Sequence, residues 1–341
     1  MGAQRYPLIF LLLFASLLQA CKKSGNVQSA FYYWKTSFTL DTQQATLLKN
    51  TANNHLYLRF FDITWDYGTH RAFPKAIIDF KQPATALSIT PIIYITNKTF
   101  EEIKDNAIDS LAINANGLIS RIAKKNNVIY RTIQVDCDWT LSTREKYFKF
   151  LRALKNINHL QLEATIRLHQ VKYKERTGIP PVNKGILMFY NMGKIDNGLQ
   201  QASSIYNETD AAKYIAYIPQ YPLSLDIALP LFSWSIQIRG GRVIQVYAGI
   251  GRKQLSAPLN FEQTGNFYRS KKSFFLNGIY IKENDTFKLE ETDLNALKKA
   301  AKQLEPYLPA QKNRTIIYYE LSNLNQSEFK AQALNQISAD F

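Results

Sequence analysis

Cysteine is almost missing from this sequence, with two in 341 residues, at positions 21 and 137. Cys21 belongs to a processing signal described below. Cys137 is then left alone, which excludes a disulfide framework and a thiolate metal cluster. Histidine is scarce too, at four, and its scatter suggests no zinc site, so neither a metal nor a cofactor is expected. No glycine-rich phosphate loop and no Gly-x-Ser-x-Gly nucleophile elbow occurs. Low-complexity tracts are missing, and acidic residues are outnumbered 27 to 42, for a formal charge of +15. Lys and Arg never run longer than two in a row. This pattern predicts a basic solvated surface without a nucleic-acid site, and leaves phospholipid headgroups or acidic glycans as possible anionic partners.

Long apolar runs are missing as well, except for Leu8 to Leu18 behind Arg5. Eleven residues rise only about 16 Å as a helix, half of a ~30 Å hydrocarbon core. The run therefore fits the h-region of a signal peptide, not a membrane span. The following Leu18-Gln19-Ala20-Cys21 resembles the lipobox of bacterial lipoproteins, in which the cysteine receives the lipid. On this reading residues 1–20 are removed, Cys21 anchors the chain to a membrane of the bacterial cell envelope, and residues 21–30 form a tether. An ordinary secretory signal with a chance cysteine is the alternative. Losing Arg5 would change the charge from +15 to +14.

Beyond the tether, apolar strand-like runs alternate with helical patterns. Strands are predicted at Phe31–Phe38, Leu56–Asp62, Pro91–Thr96, Arg131–Asp138, Leu162–His169, Gly185–Asn191, Leu225–Leu231 and Thr315–Leu321. Helices are predicted at Asp41–Lys49, Phe100–Lys125, Ser142–Asn156, Glu208–Ile218 and Asp293–Leu308, with Ser142-x-x-Glu145 as a capping box. Eight strands separated mostly by helices point to a single α/β domain over residues 31–341, a (β/α)₈ TIM barrel. A doubly wound open sheet is the competing arrangement. Residues 235–290 break the repeat: two strands meet at Gly240-Gly241, a hairpin signal, and more β-like pieces follow. A β-rich insertion between strands seven and eight is expected there.

Strand four carries most of the chemistry. Side chains alternate faces with period two, so Ile133, Val135, Cys137 and Trp139 share one face and Gln134, Asp136, Asp138 and Thr140 the other. The outward face of a parallel barrel packs under helices and must be apolar. The polar face then points inward, rising toward the C-terminal mouth where active sites of this fold lie. Cys137 is accordingly a packing residue. Two neighbouring carboxylates at such a place repel each other and are costly to bury, the arrangement used for acid/base work. Alternatively, basic residues of the next strand neutralise them, and Arg167 and His169 alternate there with Ile166 and Leu168.

Three segments resemble glycoside hydrolase family 18 barrels. Val135-Asp136-Cys137-Asp138-Trp139-Thr140 is similar to that family's strand-four Ile-Asp-Ile-Asp-Trp-Glu, Met188-Phe189-Tyr190-Asn191 to its strand-six Met-x-Tyr-Asp, and Leu225–Phe232 to its strand-seven run ending in Leu-Pro-x-Tyr-Gly. More closely, Ile133 onward with Arg167-Leu168-His169-Gln170 and Tyr190–Gly193 resembles an uncharacterised family of bacterial envelope proteins among such barrels. The resemblance implies a cleft for an oligo- or polysaccharide. It also breaks: the family's proton-donating Glu is Thr140 here, its first motif Asp is Ile133, and its strand-six Asp is Asn191. Threonine cannot protonate a leaving group near neutral pH, so the substrate-assisted mechanism does not carry over.

Two expectations follow. One is a glycoside hydrolase with a rebuilt acid/base pair, in which Asp138 and Asp136 act with Asp62, Glu320 or Asp66 near the ends of strands two and eight. The other is an inactive glycan-binding or scaffold protein. In both, Tyr190, Asn191, His169, Arg167, Trp234 and Trp65 would contact the sugar, with Trp34 and Trp139 as further aromatic candidates.

Overall fold

The computed structural model describes residues 25–51, 54–195, 203–322 and 329–341; Cys21 and the leader lie outside them. Eight parallel strands form the frame: β1 (Asn26–Tyr33), β2 (His55–Asp66), β3 (Ser88–Ile95), β4 (Thr132–Asp136), β5 (Gln161–Arg167), β6 (Lys184–Met188), β7 (Leu225–Pro230) and β8 (Asn313–Tyr319). Each pairs with the next, and β1 pairs with both β8 and β2, so the sheet closes into a barrel. The open-sheet alternative falls.

The alternation expected of the strands is realised as two separate cores. Outward side chains such as Ile133, Val135, Ile166 and Leu187 pack under the helices. Inward ones, including Tyr32, Tyr57, Ile92, Ile186, Met188 and Ile317, fill the barrel. Several boundaries differ from expectation, three of them instructively. β1 starts at Asn26, inside the stretch expected to be tether, because its backbone pairs with β8 from Asn26–Asn313 onward and backbone pairing needs no apolar side chain. The expected helix over 100–125 is broken into Asn97–Glu102, a short 3₁₀ turn and Ile108–Lys125, which lets both Ile103 and Ile108 enter the core. The helix after β4 starts at Arg144, and the capping box does not form. Instead Thr143 Oγ1 accepts the Thr140 N–H at 2.9 Å, and Glu145 pairs with Arg144.

Between β7 and β8 lies the β-rich insertion. Its five antiparallel strands stand in the order Arg242–Tyr247, Ser233–Arg239, Thr286–Glu291, Phe267–Ser270 and Phe261–Thr264, around a small core containing Leu255, Phe261, Tyr268 and Phe287. The Gly240-Gly241 turn has φ of 54° and 72°, the double left-handed conformation that a tight two-residue hairpin requires. A buried carboxylate ties this sheet to the barrel. Glu290 accepts from Trp234 Nε1 at 2.9 Å and from the backbone N–H of Ser204, and it pairs with Lys288 at 2.7 Å.

Candidate functional site at the barrel mouth

The polar face of strand four does point inward. Gln134 sits deepest and accepts from the Tyr32 hydroxyl at 3.0 Å. One step up, Asp136 is buried and accepts from Thr165 Oγ1 at 2.6 Å. Burial pushes its carboxyl up to about 6, opposed by Arg167 and reinforced by Asp138. Beyond the strand, Asp138 reaches the mouth with its side chain half exposed, and Arg167 grips it with Nε at 2.7 Å and Nη2 at 3.2 Å. A two-pronged guanidinium–carboxylate pair fixes orientation as well as charge. The basic neighbour thus neutralises Asp138, at the open end of the barrel and not beneath a sealed core.

A cleft of about 460 Å³ opens around this pair, lined by Asp138, Thr140, Arg167, His169, Tyr190 and Asn191 among others. His169 is not part of β5. It lies in the short helix Leu168–Lys172 that follows, and burial together with Arg167 lowers its pKa, so its ring is neutral near pH 7. Tyr190 is buried with its ring stacked on Tyr319 at 5.4 Å. Asn191 takes a left-handed φ of 53° and donates its N–H to Ile205 O at 2.8 Å. A smaller hollow of about 190 Å³ shares Asn191 and is lined by Phe232, Trp234, Tyr319 and Glu320. Glu320 is buried and accepts from the Ser322 hydroxyl. The insertion contributes Ser233, Ala248 and Trp234 to this wall, the last held by Glu290.

Three expected site residues lie elsewhere. Asp62 lines neither hollow: its carboxylate is taken by Arg59, whose Nε donates at 2.6 Å. Both point into the barrel because a bulge around Phe60 shifts the register between Arg59 and Phe61, so two residues three apart share a face. Trp65 faces out of the barrel. It lines a separate hollow of about 580 Å³ with His70, Arg71 and Lys104, because Ile63 and Trp65 occupy the outward positions of β2 and pack on the outer core. Asp66 is spent on its own turn, accepting from the Gly68 N–H at 2.8 Å. Trp139 is a packing residue, stacked on Tyr147 and donating to Thr177 O. Trp34 stands under the Arg59 guanidinium at 5.4 Å.

The reading from sequence missed Arg59, Tyr94, Phe232 and Tyr319. Tyr94 follows Thr90 and Ile92 on the inward face of β3, a period-two signal that marks it. Burial and the nearby Asp136 and Asp138 push its hydroxyl up to about 12. Arg59 follows Tyr57 on the inward face of β2 with the same period of two, and the bulge hides only that Asp62 shares that face.

No family model matches the chain, and no curated protein does. Solved structures do. The spore cortex-lytic enzyme SleL of Bacillus megaterium aligns at 15% identity with TM-score 0.56, over 94% of this chain and 75% of that one. The Bacillus cereus SleL aligns at 14% and 0.53, over 94% and 76%. A chitinase-like agglutinin from Robinia pseudoacacia aligns at 11% and 0.52, over 91% and 98%. At such identities the likeness establishes the fold: this chain is a (β/α)₈ barrel of the kind those proteins share.

Proposed function

We propose that this chain is a lipid-anchored protein of the bacterial cell envelope that holds an oligo- or polysaccharide at the barrel mouth without cleaving it. Lytic enzymes and an agglutinin share the fold, so the fold does not choose between cutting and holding; the residues must. The observation that carries the reading is the commitment of the carboxylates. Asp138 is held by both arms of Arg167 beside Thr140, Asp62 by Arg59, and buried Asp136 by Thr165. Glycoside hydrolysis needs two carboxyls flanking the scissile bond, one of them able to give a proton. What the cleft offers instead is a fixed polar pair, a neutral imidazole, an amide and tyrosine rings, a set suited to hydroxyl-rich ligands. The Leu18–Cys21 signal supports the anchor and the envelope location.

A second reading has one observation behind it. Asp136, pushed up to about 6, retains part of its protons near neutral pH beside Asp138, the asymmetry that hydrolytic carboxyl pairs use. One experiment separates the two. The chain from Lys22 onward is titrated calorimetrically with envelope and host glycans, and the same mixtures are assayed for new reducing ends. Binding without release is expected. Release that disappears in Asp138→Asn, with folding intact, would establish the hydrolase and overturn the binder.

A further inference from the structure

We propose that the end of the barrel opposite the mouth is a docking surface for the anionic phospholipid headgroups of the membrane that carries the anchor. The proposal rests on lipidation of Cys21. All eight strands run the same way, so β1 begins at the end remote from the mouth, where the Asn26 N–H donates to Lys312 O at 2.8 Å. Only residues 22–25 separate that point from Cys21, and four residues span at most about 14 Å. The remote end is therefore held against the bilayer and the mouth opens away from it.

The chemistry of that end suits the neighbour. The helices Thr42–Asn50, Ile108–Lys125 and Arg144–Asn158 return from the mouth and finish there with Lys49, Lys124, Lys125 and Lys155. Arg131 and Lys312 stand exposed just before β4 and β8. Glu305 and Asp340 face them from the ends of the last helices, and Asp79, ion-paired with Lys81, lies near Lys125. Lysine at a helix C-terminus complements the helix dipole, which accounts for four of these cations. Arg131 and Lys312 lie outside any helix, and between Lys125 and Arg131 Ile129 is 87% exposed. An apolar tip flanked by cations matches the headgroup–acyl boundary of an anionic leaflet. Cations at the mouth end are engaged within the fold, by carboxylates as in Arg167–Asp138 and Lys98–Glu101 or by backbone carbonyls as with Lys35 and Lys146.

The lipidated full chain, reconstituted in vesicles that carry a headgroup-linked quencher, tests this. A fluorophore is placed at Ile129→Cys or, at the mouth, Leu141→Cys, which is 52% exposed; Cys137 is buried and does not compete for label. In phosphatidylglycerol vesicles the label at 129 is expected to be quenched severalfold more than the label at 141, with the difference shrinking in phosphatidylcholine. The triple substitution Lys124→Gln, Lys125→Gln, Arg131→Gln is expected to weaken docking on the order of a hundredfold, at roughly fivefold per cation, while the loss of two helix-end charges lowers the melting temperature by only a few degrees. Equal quenching at both positions, or a difference indifferent to lipid charge, overturns the docking face. The mass of the mature N-terminus reads the anchor independently: a Cys21 without lipid removes the premise whatever the vesicles report.

Discussion

Asp138 and Arg167 illustrate how little an ion pair says about stability and how much about recognition. With the Asp138 side chain half exposed, the pair is screened, and its removal costs under about 1 kcal/mol of stability. Its orientation in the cleft matters more. Arg167→Met is expected to shift the melting temperature by only a few degrees and to weaken glycan binding at least about tenfold, because a hydrogen-bonding site left unpaired rejects its ligand. Calorimetric titration beside a thermal melt checks both halves. Glu163, at the base of the barrel interior, makes the opposite case. Burial, reinforced by Asp226 and opposed by Lys184 and Tyr57, pushes its carboxyl up from 4.5 to about 8. The folded state then binds a proton that the unfolded state releases between those values, so stability must fall as pH rises from about 4.5 to 8. Glu163→Gln is expected to remove that slope, a difference on the order of a few kcal/mol across the window. Melting temperatures at pH 5 and pH 8 that fall equally in both proteins would contradict it.

At the scale of elements, the mouth is assembled by joints that local sequence barely marks. Gly178 ends a helical turn with φ of 74°, and a Cβ there would lie 2.8 Å from both Arg144 and Phe148 on the helix after β4. Gly178→Ala is expected to cost about 1–3 kcal/mol through backbone strain and displacement of that helix, read as a lowered denaturation midpoint. Glu290 is the corresponding joint of the insertion. Removing it in Glu290→Ala would leave Lys288 charged and buried without its partner, a loss of about 3–5 kcal/mol. The Trp234 emission should shift to the red as the released indole becomes more exposed to water. An unchanged emission would mean that Glu290 does not set the wall of the cleft.

Taken whole, the molecule is a large closed barrel carrying a smaller sheet with its own core. Fewer buried apolar residues support the insertion, so amides of Ser233–Glu291 are expected to exchange with solvent sooner than those of β4 to β6; equal protection would show that the two parts open together. Much of this organisation was legible beforehand. The eight strands, the insertion and the inward polar face of strand four follow from period-two alternation, because a strand buried on both sides must sort its side chains by face. Legibility stopped at irregularities and at partners. Asp62 looked like a free carboxylate at a strand end, and a bulge delivered it to Arg59. Trp65 looked like a sugar platform, and its parity turned it to the outside. The tether stretch looked too polar for a strand, yet its backbone pairs with β8.

Residue order alone determined the barrel, the place of the insertion and the rung-like stacking of Gln134, Asp136 and Asp138, since chain connectivity and alternation are local properties. Only the tertiary structure decided which carboxylates remain available at the mouth. That choice depends on through-space partners between 3 and 29 positions distant, as with Arg59 and Asp62 or Thr165 and Asp136, and hydrogen bonding at about 3 Å is blind to sequence separation.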